Sequence, residues 1–389
     1  MSKTHFTGLT WDHPRGYNAL AAASERAVAL DGGKVLTWDK QPLEGFESAP
    51  IGDLAARYDL LVLDHPHIGE AVALDCLTPL EELFDASLLQ QWSDQTVGAA
   101  MSSYRWSGRH WALPLDVATQ VMARRPDLCP TAPDTWEDVL RFCGQGGVAI
   151  SVAGPHAILS VYSIAASLGS APGGEQLLPD AQFREALAVL KRLSANAPAG
   201  SEKLNPIGLL EHMASHDDIA LIPLVFGYVN YSRAQTGRCR VAFSDAPRSG
   251  GGSIRGSVLG GTGIAFSAHS KPDAALLSHI AWLMSPDAQS GFIPAHDGQP
   301  SQRAAYSDTA VNAAWGDFYS RTLTTSEGAL VRPRHDGYIA FQTEASALVR
   351  NYLFDDLDLT QTMDRIRAAW RLSRQHARGP LDATERTQP

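Results

Sequence analysis

The chain has 389 residues, 44% of them hydrophobic and 19% charged, with a formal net charge of −10. That length favours two domains over one. The acidic balance argues against the basic stripe that a nucleic-acid surface requires, and no apolar run approaches the ~18 residues of a membrane-spanning helix.

In chain order, Phe6 to Trp11 reads as a strand and Asp12-His13-Pro14-Arg15-Gly16 as a tight loop, since Pro14 fixes its own φ and disfavours helix at His13. Tyr17 to Leu30 is Ala-rich and helical, with a glycine stop at Asp31-Gly32-Gly33. Lys34 to Trp38 is a second strand and Pro50 to Tyr58 a helix. Asp59 to Leu63 is a continuous apolar run of the kind found in a parallel strand buried on both faces. This alternation is an α/β pattern. Asp85 to Ala100 reads as helix, and Tyr104 to Trp111 as a hairpin around Ser107-Gly108. Trp136 to Phe142, His156 to Gly169 and Phe183 to Ala195 read as helices, and Gly147 to Val152 and Asp218 to Val225 as strands. Gly263 to Phe266 is a buried strand leading to a helix started by Ser270, Pro272 and Asp273. Ser285-Pro286-Asp287 starts another. Val311 to Leu323, Tyr338 to Leu353 and Thr360 to Arg374 are helical, and the tail beyond Gly379 reads as disordered. Cys76, Cys129, Cys143 and Cys239 form no C-x-x-C pair and read as buried or semi-buried thiols.

Four stretches, in this order and spacing, carry a resemblance. They are Leu113-Pro114-Leu115-Asp116 with Thr119 to Asp127, then Pro133-Asp134-Thr135-Trp136-Glu137-Asp138, then Leu259 to Phe292, then Gln299 to Tyr306. Together the chain resembles the extracellular solute-binding proteins of ABC importers, in the group that includes sugar binders. The resemblance implies a two-lobed α/β fold of the periplasmic-binding-protein type II, each lobe a mixed sheet flanked by helices. Lobe one would comprise 1–115 and 260–308, and lobe two 116–259 and 309–389. Leu115–Ala118 and Leu259–Gly263 would act as hinges, and closure would bury a small ligand. A membrane permease would read the closed form of a monomeric chain. The resemblance implies a periplasmic location. Met1-Ser2-Lys3 leads into a strand-like segment without a signal peptide; either a signal has been removed, or the chain is a cytoplasmic sensor or carrier of an organic or sugar acid, which is the alternative expectation.

The main candidate site comes from strand ends, where open α/β sheets bind ligands. Asp12, Asp64 and Asp116 each follow a predicted strand. An ionised carboxylate accepts hydrogen bonds at both oxygens and can take two adjacent sugar hydroxyls. Trp11, Tyr17, Phe226, Tyr228 and Tyr231 could cover the C–H face of a pyranose, with Asn230 and Thr119 among the polar neighbours. The alternative for each aspartate is a helix N-cap. His13 and Arg15 beside a helix start would suit a ligand carboxylate or phosphate; the alternative pairs Arg15 with Asp12 or Asp64. His65-Pro66-His67 with Asp64 invites a metal reading. Pro66 is expected to hold this segment extended and turn the two rings to opposite faces, so no metal and no cofactor is expected. One of His65 and His67 would face the ligand. Gly260-Gly261-Thr262-Gly263 reads as a glycine-rich loop without the Lys-Ser/Thr of a P-loop, and by the resemblance Gly260 and Gly261 approach the ligand. Arg255 and, more weakly, Gln299 are further candidates. A glycoside-processing enzyme with two carboxylates, or a Cys129–His65 nucleophile pair, is the rival class. The chain carries no G-x-S-x-G, H-E-x-x-H or dinucleotide motif.

Overall fold

A computed structural model describes residues 5–31, 36–233, 235–375 and 377. The chain forms two compact units, the two lobes of a mixed α/β fold. The first comprises Met1–Val117, Gly260–Val311 and Arg334–Asp336, and the second Ala118–Leu259, Asn312–Pro333 and Gly337–Pro389. Arg334–Asp336 therefore belongs with the first unit, although its position in the chain assigned it to the second.

In the first unit, β1 (Phe6–Trp11) leads into α1 (Pro14–Asp31) and β2 (Leu36–Gln41), followed by β3 (Leu60–Leu63) and β4 (Leu77–Thr78). β1 pairs in parallel with both β2 and β3. β5 (Arg105–Trp106) and β6 (Arg109–His110) form the expected hairpin, with left-handed φ of 50° at Ser107 and 83° at Gly108. β7 (Leu113–Arg124) begins in this unit. The second unit adds β8 (Leu221–Phe226) and β9 (Ala242–Ser244), both antiparallel to β7. β10 (Leu259–Ser267) returns to the first unit, antiparallel to β3 and β4. β3 is buried at all four positions, which matches its uninterrupted apolar sequence. Leu9, Leu61, Leu63, Ile68, Tyr104 and Ala265 form a core of this unit. The second unit is largely helical around its strands. Helix Tyr338–Phe354 packs on Leu359–Gln375 and on His156–Ser167, and Tyr162, Phe183, Phe341 and Trp370 fill the core between them.

Several elements differ from expectation for identifiable reasons. α1 starts at Pro14, not Tyr17, because proline is pre-organised for the first helical position; Arg15 and Gly16 thus lie in its first turn. His65–His67 is a turn of 3₁₀ helix capped by Asp64, not an extended segment. The φ that proline imposes suits both, and the cap decides. The helix expected over Asp85 to Ala100 stops at Gln95, where the Thr96 hydroxyl donates to Trp92 O at 2.7 Å. Gly147 to Val152 forms no strand; Val148 makes one isolated bridge to Leu221, after positive φ at Gly146 and Gly147. The helix after Gly263–Phe266 is capped by Asp273, which accepts from Leu276 N, three residues beyond Ser270. Val311 to Leu323 splits into Thr309–Ala314 and Phe318–Glu327, because Gly316 and Asp317 adopt left-handed φ. Gly260 to Gly263 lie inside β10 rather than in a loop. The Asp31-Gly32-Gly33 stop, the start of the Lys34 strand and the tail beyond Gly379 lie at least partly outside the described residues.

Candidate functional site

The first unit presents a topological switch point. Its strand order runs β2-β1-β3, so α1 carries the chain from β1 to one side while β3 lies on the other. A crevice opens outside the carboxyl ends of strands at such a point. The β1–β3 register pairs Gly8 with Leu60 and Leu9 with Leu61. Asp12 and Asp64 each lie one residue beyond the carboxyl end of these neighbouring strands.

The Trp11 to Gly16 turn is tightly built. Trp11 is buried and stacks on His13, with ring centroids 5.1 Å apart and planes 7° from parallel. The Arg15 guanidinium lies 5.5 Å from the Trp11 ring centre. A Cβ on Gly16 would fall 2.2 Å from Trp11 Nε1, so only glycine lets the indole sit there. His13 Nδ1 accepts from Arg15 N–H at 3.1 Å. Burial, and then the Arg15 charge, lower the His13 pKa to about 3. The ring is therefore neutral near pH 7, and with Nδ1 accepting, its proton sits on Nε2.

Arg15 and Asp116 join this turn to β7. Arg15 Nε donates to Asp116 Oδ2 at 2.7 Å, with the two side chains 3% and 5% exposed. Arg15 thus takes a partner 101 residues away in the sequence. Asp116 lies inside β7, not after a strand. Its other oxygen, Oδ1, is buried and has no hydrogen-bond partner among the described residues. A buried acceptor left unpaired costs about 1–3 kcal/mol, more when charged. Asp12 is exposed and pairs with Lys40 at 2.7 Å. Asp64 accepts from His65 N at 2.8 Å as the 3₁₀ cap. His65 meets the Tyr104 ring edge-on at 6.2 Å, and the Tyr104 hydroxyl donates to Leu63 O at 3.2 Å. His65 and His67 are both buried. Among the described residues no group of three or more His, Cys, Asp or Glu is arranged to hold a metal ion.

Of the remaining candidates, Tyr17, the glycines of β10 and Gln299 belong to the first unit and the others to the second. Phe226 ends β8 and meets His156 at 5.8 Å, and Tyr228 follows it, buried. Asn230 is half-buried in the next 3₁₀ turn. The Tyr231 hydroxyl donates to Glu211 at 3.3 Å. Thr119 is buried with its hydroxyl 3.4 Å from that of Ser326. Arg255 is engaged structurally: it pairs with Asp134 at 2.6 Å and donates to Ala246 O at 2.8 Å. Arg255, and after it Arg248, hold the Asp134 carboxyl below its usual pKa. Gly260 is buried within β10 and Gly261 has a φ of 101°.

Sequence reading missed two polar clamps in the first unit. Gln289 Oε1 accepts from Ser301 N at 2.7 Å and Gln302 N at 3.2 Å, and the Ser301 hydroxyl donates to Pro114 O at 2.6 Å. Gln299 Nε2 donates to Val117 O at 2.6 Å, which gives this weaker ligand candidate a structural task. Arg334 Nη1 donates to the carbonyls of Ser102, Ser103 and Arg105. The only local hint was a charged run, Arg332-Pro333-Arg334-His335-Asp336, set in a chain of otherwise low charge.

No protein-family profile matches the chain, and no curated protein sequence matches it. Solved structures do. An ABC transporter solute-binding protein of Agrobacterium radiobacter K84, in complex with ribitol, is 20% identical with a TM-score of 0.81, covering 95% of this chain and 98% of that one. A solute-binding protein of Agrobacterium vitis S4 with bound D-mannitol is 17% identical with a TM-score of 0.76, covering 95% and 98%. The maltose-bound MalE3 of T. maritima is 17% identical with a TM-score of 0.77, covering 95% and 99%. The chain therefore has the fold of two-lobed ABC-transporter solute-binding proteins, and these neighbours are binding proteins rather than enzymes.

Proposed function

We propose that the chain is a solute-binding protein that captures a small polyhydroxylated solute, a sugar or polyol, and delivers it to an ABC importer in the membrane. The observation that carries this reading is the Arg15–Asp116 pair. The cation is already neutralised at 2.7 Å, and what the pair leaves over is a buried carboxylate oxygen without a partner. His13 adds a neutral ring rather than a cation. Such a set suits hydroxyls, which both donate and accept, better than a ligand carboxylate. We assign the polar contacts to Asp116, Asp64, His13 and Arg15 and the stacking surface to Trp11. The ribitol, D-mannitol and maltose of the fold neighbours belong to the same chemical class.

The chain acts as a monomeric binder in this reading, exported to meet its permease. Among the described residues no helix is long and apolar enough to cross a membrane. The rival nucleophile Cys129 donates to Thr131 O at 3.3 Å, and burial raises its pKa, which keeps it a thiol. A thermal-shift screen with ribitol, D-mannitol, maltose and a set of sugar acids tests the proposal. A ligand at 100 times its Kd adds about 2.7 kcal/mol of stability. A neutral polyol or sugar should shift the melt and be recovered unchanged. A response to the acids alone would refute the reading.

A further inference from the structure

We propose that the second unit carries an anion site, built from Arg124, Arg240 and Arg321, for a phosphate group. The three arginines come from separate stretches of that unit: the end of β7, the approach to β9, and the helix Phe318–Glu327. The fold brings them together. β7 and β9 set Arg124 opposite Ala242, and Arg240 stands two residues before Ala242. Arg240 Nη2 donates to Gly316 O at 2.9 Å. A Cβ on Gly316 would come 2.8 Å from that nitrogen, so glycine lets the guanidinium lie against the turn. Asp317 follows in the same turn and meets Arg321, one helical turn on, at 3.4 Å. Phe318 packs edge-on against Phe243 of β9 at 4.9 Å, which fixes the helix on the strand.

The cluster is short of acid. Arg124 Nη1 donates to Cys129 O at 2.7 Å and Arg240 to Gly316 O; among the described residues neither has a carboxylate partner. Arg321 has Asp317, but that pair is 55% and 49% exposed and contributes little. Nearby acids are engaged elsewhere: Glu211 with Arg238 at 2.5 Å, and Asp245 with Thr325 at 2.8 Å. Three guanidiniums against one carboxylate leave two positive charges, in a chain whose net charge is −10. Burial is the larger cause of a lowered Arg124 pKa, and the Arg321 and Arg240 charges lower it further while Cys129 opposes. An anion among them relieves that repulsion.

The chemistry selects the anion. A carboxylate has two oxygens in one plane, which a single guanidinium fork satisfies. A phosphate group offers three oxygens around a tetrahedron and takes forks from several directions. Its charge of about −1.5 to −2 near pH 7 matches the two charges in excess. Arg240 and Arg321 are exposed, so a free phosphate or a lipid headgroup reaches them.

None of these residues is assigned to the solute, so the two proposals fail separately. The full chain is titrated calorimetrically with inorganic phosphate and with acetate near pH 7 at constant ionic strength. It is also sedimented with phosphatidylglycerol and with phosphatidylcholine vesicles. Saturable phosphate binding assigns a free anion; sedimentation with phosphatidylglycerol alone, without a response to phosphate, assigns the headgroup. In either case Arg240→Gln should weaken binding about tenfold. Asp317→Asn, which suits the left-handed backbone there, releases Arg321 and should tighten binding about twofold to fivefold. Both positions lie outside the buried core, and melting curves check that each variant folds. Silence with phosphate and with phosphatidylglycerol overturns the site. So does acetate binding as tightly as phosphate, or an Arg240→Lys variant that matches the wild type, because diffuse charge would then suffice.

Discussion

Asp116→Asn is the sharpest perturbation available. The substitution keeps the shape of the side chain and removes its charge, while Arg15 stays buried with a side-chain exposure of 3%. Removing one member of a buried pair costs about 3–5 kcal/mol, because a buried charge loses the partner that was bonded to it. For a unit of this size each kcal/mol lowers Tm by roughly 2–4 °C, so a loss of about 6–20 °C is expected. Replacing both partners with apolar residues, as in Arg15→Met/Asp116→Leu, should restore most of the stability, because neither charge then has to be desolvated. Ligand binding should not return in the double variant. Melting curves by circular dichroism with and without the best ligand of the screen separate these outcomes. If Asp116→Asn melts within 2 °C of the wild type (about 1 kcal/mol or less), the pair is not the buried, mutually dependent unit described. If the double variant binds ligand as the wild type does, Asp116 is not a ligand acceptor.

Three further outcomes are expected. The unfolded His13 ring takes its proton near 6.5 while the folded ring resists until about 3. The unfolded state therefore binds more protons as pH falls below 6.5, and stability should fall by up to about 1.4 kcal/mol per pH unit. His13→Asn should flatten urea-unfolding midpoints between pH 6.5 and about 5, above the range where carboxylates dominate; an unchanged slope would count against the assigned protonation. Gly16→Ala forces the Trp11 indole out of place, which should cost about 1–3 kcal/mol and weaken ligand binding, both readable by isothermal calorimetry and melting. Arg255→Ala should leave ligand affinity unchanged and cost no more than about 1 kcal/mol, because its ion pair with Asp134 is partly exposed; a tenfold loss of affinity would return Arg255 to the ligand.

The elements legible in the sequence were those whose signal is local. The β3 run and the Ser107-Gly108 hairpin follow from residues within a few positions of one another. Segments with two locally acceptable conformations were harder. His65-Pro66-His67 suits extended chain and 3₁₀ turn alike, and the Asp64 side chain selects the turn. Pro14 similarly belongs to a loop or to a helix start. At the candidate site, Asp12, Asp64 and Trp11 were recognisable as strand-end residues. The choice of Asp116 as the partner of Arg15 was not, because nothing local links residues a hundred positions apart. The Gln289 clamp was invisible for the same reason: an amide in a helix reads as surface until its distant acceptors are known.

The clamp also sets the order in which the molecule can be made. β3 lacks its β10 partner, and Pro114 O and Val117 O lack Ser301 and Gln299, until some 300 residues have left the ribosome. The amino-terminal third cannot settle as it emerges and must wait, with an apolar strand edge uncovered, for a segment made much later. Contacts of such long span slow folding, and an uncovered edge invites pairing with other chains. A nascent chain halted before β10 should stay open to proteases and chaperones throughout its first hundred residues.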